Sequence, residues 1–225
     1  MNPELELLHP YPFEKLAALF KGAEHRGGLP HIALSIGEPK HASPAFVKQA
    51  LVDNLDKMSV YPATKGVPEL RQAISRWACN RFGLGEGNLC AETQILPVNG
   101  TREALFAFAQ VIINRTRYPL LVSPNPFYQI YEGAAYLSGA EPYFLPCREE
   151  SRFIPDFDSV PADVWRRCQM LFICSPGNPT GAVMSAAEMQ KLIALADEHD
   201  FVIASDECYS ELYFDEQNPP PGLLQ

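Results

Sequence analysis

The 225-residue sequence predicts an α/β fold built on a mainly parallel β-sheet, with helices on both faces in a three-layer α/β/α arrangement. Short apolar runs alternate with helical patterns through the second half of the chain, which is typical of parallel strands joined by crossover helices. Several of these runs are apolar throughout, as expected for strands that are covered on both faces. A hydrophobic content of 47% is sufficient for the core of one large α/β domain.

Two amphipathic helices are predicted in the first part of the chain. The first spans 44–58, with Ser43 as its N-cap and Pro44 as its first residue. The second spans about 68–82 and begins at Pro68. Apolar residues recur at helical spacing in both, so each helix should bury one face. These residues are Phe46, Val47, Ala50, Leu51, Leu55 and Met58 in the first helix, and Leu70, Ile74, Trp77, Ala78 and Phe82 in the second.

The later elements follow the same logic. A strand at about 94–98 should lead into a helix at about 101–113, which is apolar almost all round and is therefore expected to be buried. The remaining predicted elements are strands at 118–124, 142–146, 171–176 and 201–205, a helix near 128–138, and a helix that begins at the capping box Ser185–Glu188. Residues 1–42 lack this alternation, so we expect an N-terminal arm or small-domain segment there and a large domain at 43–225.

Charge and composition indicate small-molecule partners. The net charge is -9, the pI is near 5.0, and Lys and Arg are scattered, which argues against a surface for nucleic acid or anionic lipid. No targeting or membrane-spanning pattern is visible, so we expect a cytoplasmic protein. The six cysteines form no CxxC pair and the histidines are dispersed, so we expect no metal site and predict that the cysteines are small buried side chains in a reducing compartment.

Polar residues follow several of the predicted strands, where an open parallel sheet binds its ligands. Gly100 and Thr101 open the predicted buried helix, which indicates either a phosphate cup or an ordinary capped helix start. In CSPGNPTG, 174–181, two prolines and two glycines should hold Asn178 rigidly above the sheet. SPNPFYQIY, 123–131, supplies three aromatic side chains that either face a ligand or pack inward. SDECY, 205–209, places Asp206 at a buried strand end, where a carboxylate requires a partner.

Four of these segments together resemble a known family. NGTREAL, SPNPFY, SPGNPTG and SDECY, in this order and with helices between them, are similar to the pyridoxal-phosphate-dependent aminotransferases of fold type I, class I/II. The resemblance covers essentially the whole chain, including IGEP at 36–39 and YPATKGVPELRQAI at 61–74. It implies pyridoxal 5'-phosphate as cofactor, amino acid and 2-oxo acid substrates, a homodimer when intact, and an incomplete large domain of the fold type I transferases.

The resemblance also implies a role for individual residues. Asp206 matches the residue that pairs with the protonated pyridine nitrogen of the cofactor. Asn178 and Tyr209 match the residues that hydrogen-bond its phenolic oxygen, and Tyr128 matches the aromatic ring stacked on it. The remaining matches are Gly100, Thr101 and Arg102 in the phosphate cup, Tyr61 reaching the phosphate of the neighbouring subunit, and Gly37 near the substrate carboxylate.

Within the family, the details around PATKGVPELR and NPFYQIYEGAAYLSGAEPYFLP are most similar to bacterial succinyldiaminopimelate aminotransferases. Those enzymes exchange an amino group between N-succinyl-diaminopimelate and 2-oxoglutarate or glutamate in lysine biosynthesis. The alternatives are another class I/II aminotransferase, of the aspartate or aromatic type, and a non-catalytic remnant. An NAD oxidoreductase is disfavoured because no GxGxxG motif follows the first strand, and GLGEGN at 83–88 follows a helix instead.

The family's Schiff-base lysine follows the aspartate by a few dozen residues. None of the seven lysines follows Tyr209; they are Lys15, Lys21, Lys40, Lys48, Lys57, Lys65 and Lys191. We therefore expect no catalytic residue within this sequence, and interpret it as the N-terminal part of an aminotransferase that is inactive by itself.

Overall fold

The computed structural model describes residues 1–23, 27–30, 32–38 and 40–225. Pro39 of the IGEP segment therefore lies outside the described residues. The described chain forms two compact units, of which the larger comprises residues 1–8 and 68–225 and the smaller comprises 9–67. The division at residues 42 and 43 that the sequence suggests stays a prediction.

The larger unit is built around a four-stranded sheet in the order β2-β1-β3-β4. The strands are β1 Leu120–Asn125, β2 Glu141–Pro146, β3 Cys168–Cys174 and β4 Val202–Asp206. Every neighbouring pair is parallel. The predicted α/β fold with a mainly parallel sheet is thereby confirmed.

Seven α-helices accompany the strands in the described chain. They are α1 Pro12–Phe20, α2 Ala45–Val52, α3 Pro68–Arg81, α4 Thr101–Ile112, α5 Ile130–Ser138, α6 Ala162–Arg167 and α7 Ala186–His199. The predicted capping box begins α7, because Ser185 and Glu188 each accept a hydrogen bond from the other's backbone N–H. Helix α5 is followed by the C-cap Gly139, whose φ of 82° suits a residue without a Cβ atom. Helices α1 and α6 were not predicted.

Different helices cover the two faces of the sheet. On one face, Leu121 and Phe172 pack in a cluster with Ala109 of α4 and Ala134 of α5. On the other face, Leu171 packs in a cluster with residues of α6 and α7. Successive strand residues point to opposite faces, so a strand covered on both sides must be apolar throughout. This three-layer arrangement leaves the carboxyl ends of the strands as the polar edge of the unit.

The smaller unit departs from the prediction for 44–58. Helix α2 begins at Ala45 with Pro44 as its N-cap, ends at Val52, and is followed by a 3₁₀ segment, Leu55–Ser59. No described residue of 9–67 is buried, and Phe46 is 75% exposed. The predicted buried face is therefore wrong for this structure. A helical pattern identifies the face that can be buried, but it does not supply the surface that covers it.

The prediction of a fully buried α4 is also wrong. Ala109 is its only buried residue, and Val111 is 79% exposed. Helix α4 packs against α5 and the sheet with one side only. Ala78 in α3 and Phe82 just after its end are buried as predicted, whereas Leu70 and Trp77 of α3 are exposed.

Residues 94–98 do not form the predicted strand. They have no strand partner among the described residues, and a single extended segment without one leaves its backbone groups unpaired. Beside this segment, residues of α3, α4 and the end of β4 line a cavity of about 540 Å³. Strand β4, at the edge of the sheet, pairs only with β3 in the described chain.

The cysteines differ in burial more than the sequence indicated. Cys79 and Cys168 are buried, but Cys90 and Cys208 are exposed. All six cysteines are free thiols. In the described part of the chain, no helix has both the length and the apolar character needed to cross a membrane.

Candidate active site

The carboxylate of Asp206 lies at the carboxyl end of β4, where it is 8% exposed. Its Oδ2 accepts a hydrogen bond of 2.8 Å from the Tyr131 hydroxyl. Its Oδ1 accepts a longer one, 3.4 Å, from the Cys208 backbone N–H. Cys174 is its register partner at the end of β3. The buried carboxylate that the sequence left without a partner is thus hydrogen-bonded from α5 and from the loop that follows β4.

Tyr131, the aromatic residue that donates to this carboxylate, is buried, with 1% of its surface exposed. Its ring stacks on Phe172 of β3 at 4.5 Å and meets Tyr128 edge-on at 5.9 Å. Burial raises the pKa of the Tyr131 phenol far above its usual range, and the neighbouring Cys174 and Asp206 add to the shift. The phenol therefore keeps its proton and serves as the donor to Asp206.

The start of α4 forms a second part of the site. Gly100 is the N-cap, and Thr101 and Arg102 are exposed in the first turn. Thr101 Oγ1 lies 3.4 Å from Cys208 Sγ, and Arg102 Nε donates a 2.7 Å hydrogen bond to the Tyr128 hydroxyl. The first N–H groups of a helix have no intrahelical acceptor and carry the positive end of its dipole. This helix start therefore suits an anion such as phosphate.

The turn after β3 holds Asn178. Gly177 N–H donates to Ala182 O at 2.8 Å, and Gly181 N–H donates to Gly177 O at 2.7 Å. Burial raises the pKa of the Cys174 thiol to about 11 and nearby Asp206 adds to this, while a backbone hydrogen bond from Asn178 opposes it. Asn178 thus lies directly beside the end of β3.

Tyr209 completes the group. It lines an open cavity of about 740 Å³ together with Asn178. Burial raises the pKa of its phenol, and Cys174, Cys208 and Asp206 contribute further. The structure therefore brings together five predicted site residues from four segments: Thr101, Tyr128, Asn178, Asp206 and Tyr209.

Two predicted residues belong to the other unit. Gly37 and Tyr61 lie in 9–67, where both are exposed. Their predicted contacts with substrate and with the phosphate of a neighbouring subunit stay predictions.

Sequence reasoning gave no role to Cys174 and Cys208, and it offered Tyr131 only as one of three aromatic side chains in 123–131 that either face a ligand or pack inward. A signal for Tyr131 was present, because it follows Tyr128 by three residues at the start of a helix, a spacing that places two side chains on one face. Its pairing with Asp206, 75 residues away, has no local signal.

Comparison with known proteins identifies the family. The sequence model for aminotransferase class I and II matches residues 30–223. This chain belongs to the class I and II aminotransferases. It is 33% identical over 222 residues to an enzyme named LL-diaminopimelate aminotransferase from Nitratidesulfovibrio vulgaris strain DP4. The alignment covers 98% of this chain and 56% of the relative. The aminotransferase chain is 32% identical over 226 residues to the protein of the same name from Aquifex aeolicus strain VF5.

Solved structures agree with this assignment. An aminotransferase from Neisseria meningitidis Z2491 has 44% identity and a TM-score of 0.91, covering all of this chain and 56% of that one. Aminotransferase AspB from Helicobacter pylori 26695 has 35% identity and a TM-score of 0.87. The aminotransferase chain spans slightly more than half the length of the relatives it matches.

Class I and II aminotransferases depend on pyridoxal 5'-phosphate, and the residues present fit this cofactor. A buried carboxylate, Asp206, can accept a hydrogen bond from a cationic ring nitrogen. The start of α4 offers N–H groups and the Arg102 side chain to a phosphate. The half-buried Tyr128 offers an aromatic face to a ring.

Proposed function

We propose that this chain supplies the cofactor-binding part of an aminotransferase that moves an amino group between N-succinyl-diaminopimelate and 2-oxoglutarate in lysine biosynthesis. The buried, hydrogen-bonded Asp206 at the end of β4 carries the proposal. A carboxylate in such a place is costly unless a cation or a set of donors accompanies it. We place the whole protein in the cytoplasm as a homodimer.

Each residue has a defined task in this proposal. Asp206 pairs with the pyridine nitrogen, and Asn178 and Tyr209 donate to the phenolic oxygen. Tyr128 lies against the ring. Bound pyridoxal phosphate supplies an electron sink for the carbon that loses its proton. The remaining tasks are phosphate binding by Gly100, Thr101 and Arg102, phosphate binding in the partner subunit by Tyr61, and substrate carboxylate binding near Gly37.

A second candidate substrate is LL-diaminopimelate, which the names of the relatives favour. The two substrates share one carbon skeleton. The succinyl group replaces an ammonium with an amide and adds a carboxylate. The charge at the distal end of the substrate therefore distinguishes the two candidates.

The lysine content of the larger unit supports the proposal that this chain alone is not catalytic. Among its described residues the one lysine is Lys191 of α7, which forms an ion pair with Asp158. General acid and base groups contribute about 10² to 10⁴ in rate to proton transfer, and among the described residues of the larger unit no lysine lies beside Asp206 to provide this. A non-catalytic protein that binds the cofactor is the alternative.

Equilibrium binding tests the cofactor site. We expect added pyridoxal phosphate to quench the intrinsic fluorescence of the 225-residue chain until the site is saturated. Asp206→Asn should raise Kd about ten-fold, because a charge-assisted hydrogen bond is lost. Asp197→Asn on the exposed side of α7 makes the same charge change and should leave binding unaltered. Equal affinities of the wild type and Asp206→Asn would contradict the assignment.

Reduction with borohydride tests the proposed lack of a catalytic lysine. We expect no stoichiometric phosphopyridoxyl adduct on residues 68–225 after treatment, with a full-length aminotransferase as positive control. Peptide mass mapping locates any adduct. Stoichiometric labelling of Lys191 would show that this interpretation is wrong.

A chimera tests the substrate. The chain is joined to the remaining part of the 44% identical Neisseria meningitidis aminotransferase, and kcat/KM with 2-oxoglutarate is compared for the two donors. We expect a preference for N-succinyl-diaminopimelate that exceeds that of the parent enzyme. A preference for LL-diaminopimelate selects the second candidate, and activity with neither donor excludes both.

A further inference from the structure

The proposed function assigns no task to the Tyr131 hydroxyl, although this group contacts the Asp206 carboxylate. It lies on a residue that is 1% exposed, and it approaches Asp206 Oδ2 at 2.8 Å. A phenol carries a single proton, so the direction of this hydrogen bond can be determined from the groups around it.

Two acceptors compete for that proton, the Asp206 carboxylate and the Cys174 sulfur. The thiol of Cys174 donates its own proton to Pro176 O at 3.3 Å. Sulfur is a weak acceptor, whereas a carboxylate oxygen forms the stronger, charge-assisted hydrogen bond. The Tyr131 hydroxyl therefore donates its proton to the hydrogen bond with Asp206.

The position of the hydroxyl is fixed by packing. The Tyr131 ring is stacked on Phe172 with an interplanar angle of 13° and meets Tyr128 at 88°. A ring held on both sides cannot turn away without opening the apolar cluster to which it belongs. The hydroxyl is thus a rigid donor that reaches β4 from α5.

This donor fixes one of the two carboxylate oxygens. Oδ2 is held by Tyr131, while Oδ1 receives a long hydrogen bond from the Cys208 N–H, at 3.4 Å. Each carboxylate oxygen has two lone pairs, so Oδ1 retains the capacity for a strong acceptor interaction. Without the hydroxyl, rotation of the carboxylate would exchange the two oxygens.

We propose that Tyr131 is a positioning residue, whose hydroxyl orients the Asp206 carboxylate so that Oδ1 is presented to the pyridine nitrogen of the cofactor. The inference rests on the proposed function and adds a residue to it. The other titratable groups facing Asp206 are Cys174 on β3 and Cys208 and Tyr209 in the loop after β4.

A double-mutant cycle tests the proposal. The probe is 4'-deoxypyridoxine 5'-phosphate, which retains the ring nitrogen and the phosphate but has no aldehyde, so its binding requires no lysine. Kd is measured for the full 225-residue chain, Tyr131→Phe, Asp206→Asn and the double variant. We expect Tyr131→Phe to raise Kd about ten-fold in the wild type and by less than about two-fold in the Asp206→Asn background. Tyr136→Phe on the same helix is the matched control.

The cycle separates positioning from a general structural effect. If the hydroxyl only supported the fold, its removal would raise Kd by the same factor in both backgrounds, and the inference would be overturned. An unchanged Kd in Tyr131→Phe overturns the inference while leaving the proposed function intact. No saturable binding by the wild type overturns the proposed function, and this inference with it.

A second measurement does not depend on whether Tyr131→Phe folds. In the wild type, a phenol held on a carboxylate should give a slowly exchanging hydroxyl proton resonance in NMR spectra of tyrosine-labelled protein. We expect this resonance to shift when the probe binds and to be lost in Asp206→Asn. A resonance that does not respond to the probe overturns the inference.

Discussion

The reactivity of individual cysteines follows from their surroundings. Cys90 is exposed, and hydrogen bonds from the Thr93 side chain and from the Glu92 and Thr93 backbone hold the pKa of its thiol below the usual value. Cys168 lies in the core at the start of β3, where burial raises the pKa of its thiol to about 12. These two thiols should therefore differ widely in reactivity.

Alkylation with iodoacetamide measures this difference, because the thiolate is the reactive form. A lower pKa leaves more thiolate at a given pH, so at about pH 8 Cys90 should react first and Cys168 last. Peptide mass spectrometry at timed intervals gives the order. Cys90→Ser should remove the fastest phase, whereas labelling of Cys168 at the rate of Cys90 in the native protein would contradict this prediction.

At the same scale, the sequence predicted which polar residues lie at the site better than it predicted their partners. Asn178 and Asp206 follow apolar runs, and the carboxyl ends of parallel strands meet at one edge, so a local pattern was enough to bring them together. The hydrogen bond between Tyr131 and Asp206 depends on the rotation of α5 about its axis. That rotation is set by packing on Phe172, which no short sequence window contains.

Helix α7 begins with a complete capping box. Ser185 Oγ accepts from the Glu188 N–H at 3.3 Å, and Glu188 Oε2 accepts from the Ser185 N–H at 2.6 Å. The helix buries Met189 and Leu192 in the cluster on one face of the sheet. The cap therefore stabilises an element that is part of the core.

Removal of this cap should lower stability measurably. We expect Ser185→Ala to reduce the free energy of unfolding by about 1 kcal/mol, since the N–H at the start of the helix loses its acceptor. Glu188→Gln retains an acceptor in the capping box and should cost less. Urea unfolding followed by circular dichroism compares them, and an equal loss in the two variants would rule out the cap as the cause.

The elements that the sequence misjudged are those whose apolar faces have no cover in the described chain. In α2 and α4 the helical period was recognised, but burial was inferred from it, and Phe46 and Val111 are exposed. The segment 94–98 has strand-like composition, yet a strand forms only with a partner that pairs with it. The sequence pattern indicates which segments favour helix or strand, whereas burial and strand pairing depend on the packing of the whole unit.

At the scale of the whole molecule, the two units differ in how much they bury. The larger unit has its core on both faces of the sheet, while no described residue of 9–67 is buried. Segments with few buried contacts open at low free-energy cost and are cleaved first.

Limited proteolysis tests this contrast. We expect trypsin to cut after Lys15, Lys48 or Lys57 before it cuts within 68–225, leaving a resistant product that contains the sheet. Intact-mass analysis over time identifies the products. First cleavage after Lys191 on α7 would contradict the expectation.

Among the described residues, β4 has a partner strand on one side only, and its other edge affects how the protein behaves in solution. Its outward N–H and C=O groups are a template for another extended segment, and copies of the same chain are the most abundant source in a pure preparation. A net charge of -9 keeps copies apart at neutral pH, but this repulsion vanishes near the pI of 5.0. Light scattering should therefore rise with protein concentration, and more steeply as the buffer is acidified from about pH 7 toward about pH 5. Scattering that is independent of both variables would show that the edge is protected. Because the strand order leaves this edge exposed, the protein should be handled at neutral pH and low concentration.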